Sequence, residues 1–165
     1  MTEWGIEKVY NFRWKTPWKD GYAHFGFHGR DGRQYIINTE FNWVGCIGEN
    51  DILEWSAGPE PVTDRKLHIT LDINVPNAGC VAEDGSVLIA SEANNIVFKI
   101  EPDKGIGYEF IDAGKMGMKY IGSCEYDLDG NIWIIELTGC RVWKLDSEGN
   151  SILTLGTGSK GFQRG

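Results

Sequence analysis

Three glutamates follow three apolar runs in this chain: Glu40, Glu92 and Glu136. Amide or hydroxyl side chains accompany each of them, at Asn42, at Asn94 and Asn95, and at Thr138. Carboxylates and amides that converge on one point supply the oxygen ligands a hard divalent cation takes. Such an ion polarises a carbonyl and activates water. Glu92 and Glu136 are therefore the candidate metal ligands, and Glu92, Asn94, Asn95, Glu136 and Asn77 the candidate ligand-binding set. No cofactor is required by the sequence, and the ion, if one binds, is Ca, Mg, Mn or Zn. The competing reading is that each side chain hydrogen-bonds the backbone of its own loop. A feature repeated along a chain answers a need that repeats, so this second reading carries more weight.

A second set of reactive groups does not repeat: His24, His28, Asn77, Cys80, Cys124 and Glu125. His24 and Glu125 are the candidate catalytic residues, His24 as a general base because imidazole titrates near neutral pH. A histidine within an aromatic stretch such as YAHFGFHG is more often packed than catalytic. His68, in RKLHIT, reads as a surface residue. No GxSxG, HExxH or phosphate-binding glycine loop occurs. The four cysteines show no CxxC pair and read as reduced thiols, with Cys80 and Cys124 approaching each other without a bond. Trp43, Trp55, Trp133 and Trp143 read as packing residues; Trp14 and Trp18 are more open to ligand or partner stacking, although packing of the lead against blade 1 carries more weight for them.

Composition narrows the partners. Sixteen basic side chains against 24 acidic ones give a net charge of −8, which argues against a nucleic-acid surface. No apolar run approaches the roughly 20 residues that span a bilayer, and the segment MTEWGIEKVYNFRWK lacks the build of a secretory signal. A soluble, cytoplasmic chain is expected.

The elements that must position these residues come from a repeat. Asp-Gly pairs at Asp31, Asp84 and Asp129 each precede an apolar run, a polar break and a second run, WVGCI, IVFKI or RVWKL, which begins twelve residues after the Asp. A further run closes each unit, and another lies upstream of each Asp-Gly. Asp-Gly between apolar stretches is a strong hairpin signal, because both turn positions tolerate positive φ. Each unit is thus four antiparallel strands, the first unit at about 22–28, 33–39, 42–48 and 51–56. The second lies near 78–82, 86–91, 95–101 and 107–112, the third near 121–126, 131–136, 140–145 and 151–155. Runs such as IWII and VLIA are apolar on both faces, as a sheet buried between two neighbours requires. Trp133, Ile134, Ile135, Val142, Leu145, Ile89, Val97 and Ile100 are the expected core.

Four-stranded units at about 45-residue spacing, buried on both faces, describe β-propeller blades. The fold expected is all-β: one propeller segment over 1–165, with a lead at 1–21, blades at 22–58, 78–112 and 121–155, and a loop at 156–165 toward a further blade. Three blades make an incomplete ring, either a fragment or half of a six-bladed propeller, with a bare blade face at each end. The expected partner is a second copy that closes the ring as a homodimer through blades one and three, or the missing blades of a longer chain.

The segments NIVFKIEPDKG and CRVWKLDSEGN resemble the second half of an NHL-type repeat, and GTGSKGFQRG resembles the loop leading into the next one. DGNIWIIE is similar to a signature of streptogramin-lyase-like propellers, and SCEYDLDGNIWIIELTGCRVWKLDSEG to gluconolactonase or senescence-marker-type propellers. The resemblance covers residues 78–165 well and 22–58 loosely. It implies a propeller segment that serves as a ligand- or protein-binding module, with a small molecule or a protein at the top rim. The alternative it implies is part of a metal-dependent lactonase or hydrolase, or of a streptogramin-type lyase, with its site on the axis.

Overall fold

The computed structural model describes residues 25–29, 32–48, 53–62 and 67–158. Among the described residues, thirteen strands form three sheets. Blade 1 holds β1 (Phe25–His28), β2 (Gln34–Asn38), β3 (Trp43–Ile47), β4 (Leu53–Gly58) and β5 (Leu67–Thr70). Blade 2 holds β6 (Pro76–Val81), β7 (Val87–Ser91), β8 (Ile96–Glu101) and β9 (Ile106–Asp112). Blade 3 holds β10 (Ile121–Tyr126), β11 (Ile132–Glu136), β12 (Arg141–Leu145) and β13 (Ser151–Leu155). Each sheet is ordered as the chain runs, which is the up-and-down build of a propeller blade. The only described helical element is the short turn Pro102–Lys104.

The repeat sets the turns. Gly32, Gly85 and Gly130 all have φ near +80°, and their N–H groups close turns onto the carbonyls of Gly29, Ala82 and Asp127. Asp84 and Asp129 keep ordinary negative φ, so these are turns with a single left-handed glycine rather than the two-residue turns the Asp-Gly pairs suggest. Asp127 and Asp146 brace two such turns by accepting N–H bonds from residues two and four positions on, the local role Asp commonly plays in turns.

Two seams hold the blades together. Between blades 1 and 2, Tyr35, Ile37, Val44 and Trp55 pack on Val87, Ile89, Phe98 and Ile100. Between blades 2 and 3, Cys80, Leu88, Ala90 and Val97 pack on Cys124, Ile132, Ile134 and Leu145. All four cysteines are free thiols, and the contact with Cys124, together with burial, holds the Cys80 thiol well above the usual range.

Two expectations are corrected. The segment after β4 is a fifth strand, and β5 pairs with β4 in parallel. His68 on it is half-buried and lies 3.0 Å from the Ser56 hydroxyl, because Ile69 at the next position enters the first seam. The second concerns the ends. Ile36, Trp43, Ile47, Leu53 and Val62 form a third buried cluster on the far face of blade 1, so that face is covered. Blade 3 alone has a bare face: Ile134 is fully buried, whereas Ile135, its neighbour on the opposite side of the sheet, is 46% exposed. Trp133, Ile135 and Val142, expected in the core, fall on this uncovered side and are not buried.

Candidate functional site

The B–C turns and the linkers between blades meet at one rim. Asn42 and Asn95 end their turns in the left-handed region, both at φ 57°, which Asn tolerates better than most residues. From there the side chains reach across to the next blade. Asn42 Oδ1 accepts the Val75 N–H at 2.8 Å. Asn95 accepts the Ile121 N–H at 3.1 Å and donates to the Met118 carbonyl at 3.0 Å. Each amide thus fixes the point at which a linker turns into the innermost strand of the following blade.

The following blade holds the same linker from its other side. The Ser91 hydroxyl bonds both backbone groups of Asn74 at 2.8 Å, and Asn94 donates to the Asp72 carbonyl at 2.6 Å. At the second linker Glu136 accepts the Lys119 N–H at 2.8 Å, and Thr138 donates to the Lys119 carbonyl at 2.8 Å. Pinned from both sides, the linkers carry Val75 and Tyr120 at φ 52° and 60°, a conformation costly for a β-branched or bulky residue unless its surroundings enforce it.

Glu136 is 1% exposed, and its carboxylate is filled. Besides Lys119 N–H, it accepts Arg141 Nε at 2.6 Å, Arg141 Nη2 at 2.9 Å and Trp143 Nε1 at 2.9 Å. Burial alone would raise its pKa, but the bonds from Arg141, Trp143 and Lys119 outweigh it and bring the carboxyl down to about 2. The next turn is shaped around it: a Cβ on Gly139 would lie 1.9 Å from Glu136 Oε1. A carboxylate with four protein donors has no lone pair left for a cation.

The structure brings some of the expected site residues together and separates others. Asn77 donates to Glu92, and these two lie at the rim with Asn94, Asn95 and Glu136. Glu125 pairs across the sheet with Trp133, whereas Glu136 pairs with Ile121. Glu125 lies four residues along β10 from Ile121, about 13 Å, and so stands toward the other rim. His24 lies outside the described residues, as do Trp14 and Trp18. Among the described residues no group of three or more His, Cys, Asp or Glu side chains is placed to hold a metal ion. Asn94 bonds the Ser91 hydroxyl and the Asp72 carbonyl, Asn95 bonds the backbone of Ile121 and Met118, and one oxygen of Glu92 accepts from Asn77.

The three glutamates are also not equivalent in the fold. The positions that match are Asn38, Ser91 and Glu136, each the last residue of its blade's second strand and each buried. All three stand seven residues past the Asp of their own Asp-Gly pair, whereas Glu40 and Glu92 stand nine and eight past theirs. Counting from the Asp would have found Asn38 and Ser91.

Three consecutive blades of antiparallel strands define a β-propeller segment. Solved structures agree. The chain is similar to virginiamycin B lyase from Staphylococcus aureus at a TM-score of 0.64 and 15% identity, over 89% of this chain and 45% of that one. It is similar to regucalcin, a calcium-binding protein from Agrobacterium tumefaciens, at 0.58 and 17%, over 80% and 44%. A luciferin-regenerating enzyme gives 0.60 and 11%, over 79% and 45%. The chain therefore spans less than half the length of these structures, and at such identities the likeness is one of fold. No family model and no curated protein sequence matches the chain. No described helix is long and apolar enough to cross a membrane.

Proposed function

We propose that this chain is a protein-binding propeller segment whose working surface is the uncovered face of blade 3. One observation carries the reading: Asn94, Asn95 and Glu136 at the rim are engaged in pinning linkers, while an apolar sheet face stands open. Ile135, Leu137, Leu153 and Leu155 are each more than two-fifths exposed. Monomeric proteins seldom leave a contiguous apolar surface of this kind without a partner. The enzymes among the similar folds motivate the alternative, catalysis at the axis. That alternative needs free donors at the rim, and Glu136, Asn94 and Asn95 are already bonded within the protein.

The test has two arms. Calorimetry with Ca²⁺, Mg²⁺, Mn²⁺ and Zn²⁺, and turnover assays on small lactones, should register neither binding nor product; a stoichiometric cation or lactone opening overturns the reading. A photo-crosslinking side chain at position 135 should capture protein, and the same probe at Leu128, on an exposed turn, should not.

A further inference from the structure

The innermost strands of neighbouring blades meet side chain to side chain, and the repeat shows where. Gly29, Ala82 and Asp127 are equivalent, since each accepts the N–H of its own turn's left-handed glycine. Three residues before them stand Gly26, Gly79 and Cys124, and two before them Phe27, Cys80 and Glu125. The pairing registers agree: Phe27 lies opposite Tyr35, Cys80 opposite Leu88 and Glu125 opposite Trp133. Across the first seam, Phe27 of blade 1 faces Gly79 of blade 2, where an added Cβ would lie 3.0 Å from Phe27 Cε1. The same two positions across the second seam are Cys80 of blade 2 and Cys124 of blade 3. Where one seam sets a ring against a residue with no side chain, the next sets two thiols against each other.

The sulfurs do meet. Both residues are 2% exposed and share one buried cluster. The Cys80 sulfur is hydrogen-bonded to the Cys124 thiol and to the Tyr126 N–H, both on β10. The other two cysteines stand apart from this pair: Cys46 packs in the first seam, and Cys140 sits on an exposed turn. At rest Cys80 and Cys124 are both thiols. Two thiols that a fold holds in contact have a high effective concentration toward each other. An oxidising equivalent that reaches one of them is therefore passed to the other as a disulfide, before further oxidation of either. The disulfide is uncharged, which suits an apolar seam better than a thiolate or a sulfinate.

We infer that Cys80 and Cys124 are an oxidisable pair that a small hydroperoxide closes into a disulfide, stapling blade 2 to blade 3. One sulfur attacks a peroxide oxygen, the O–O bond breaks, and the thiol proton leaves with the departing hydroxide as water. The sulfenic acid so formed is attacked by the second sulfur. The S–S bond forms as the S–O bond breaks, and the second thiol proton leaves with the hydroxyl as another water. The two thiols lose two electrons in all, and the peroxide is reduced to water. Burial keeps the proton on Cys80, so closure is slower than oxidation of an exposed thiol such as Cys140.

Hydrogen peroxide added to the full native chain tests it. Catalase stops the reaction, and alkylation in denaturant without reductant is followed by cleavage before aspartate, which puts each cysteine on its own peptide. The Cys80 peptide should appear linked to the Cys124 peptide, two mass units below their sum, and dithiothreitol should release both. The linked chain should melt about 5 °C or more above the same sample after dithiothreitol, because the bond joins residues distant in sequence. Cys46→Ala should leave the link in place, and Cys124→Ala should abolish it. If both peptides remain reduced, or carry separate sulfinic acids, once Cys140 is fully oxidised, the inference is overturned. The same link forming as readily in concentrated urea also overturns it, since the fold would then not select the pair. A linked chain that melts below the reduced one shows that the seam does not accept the bond, and overturns the staple.

Discussion

Glu136 is the most constrained side chain at the rim, and its role follows from its four donors. Its folded-state carboxyl titrates near 2 against an ordinary value of 4.5. The stability this adds is full above about pH 4.5 and is lost as pH falls toward 2, where the carboxylate is protonated in the folded state as well. Wild-type stability should therefore drop through that window in acid titrations followed by circular dichroism, and Glu136→Gln should flatten the drop. At pH 7, Glu136→Ala should cost about 3 kcal/mol, because it leaves a buried Arg141 contact and the Trp143 N–H without their acceptor. Gly139→Ala should be destabilising too, since the added methyl enters the space that Glu136 Oε1 fills. A Glu136→Ala protein as stable as wild type in urea would show the network to be incidental.

At the scale of elements, the linkers matter more than the turns. Asn95 satisfies a buried N–H of Ile121 and a carbonyl of Met118, so Asn95→Gly, which keeps the left-handed backbone accessible, should cost about 2 kcal/mol in urea denaturation. Asn42→Gly breaks only the described bond to Val75 N–H and should cost about half as much. Equal effects would mean that the amides do not act through these bonds. The strands themselves were legible in the sequence, within about three residues at each described end, because Asp-Gly pairs and doubly apolar runs are local signals. The acidic pattern was misread for an equally physical reason. Glu40, Glu92 and Glu136 share a residue type but not a register, and a strand position is defined by its rung. The added strand β5 was missed because KLHIT is short and joins its sheet in parallel, through a connection that no hairpin turn announces.

Across the whole molecule, burial is asymmetric, and adjacent residues report it. Ile134 belongs to the second seam, so Ile134→Ala should cost about 2–5 kcal/mol. Ile135→Ala, measured at concentrations too low for association, should change stability by less than about 0.5 kcal/mol. Similar losses at both positions would show that the face is covered within a single chain. The cysteines should all react with an alkylating agent after denaturation without reductant, and a mass two units low would reveal a bond. Periodicity alone implied that both ends of the blade array were bare, because it cannot distinguish a covered blade face from an open one. The covering of blade 1 depends on contacts from outside its own repeat, such as that of Val62.

An array with complementary faces at both ends behaves as a monomer in a polymerisation: every addition regenerates the end it consumes, and growth has no natural stop. Here one end is already closed, as the buried cluster around Trp43 records. If the open face of blade 3 binds protein as proposed, this chain has a functionality of one. When its open face is engaged nothing reactive remains, so association stops at the first step whatever the concentration. On the proposed reading the covered face of blade 1 limits stoichiometry as well as filling space, and the expected outcome of leaving an apolar sheet exposed is a finite complex rather than a fibre.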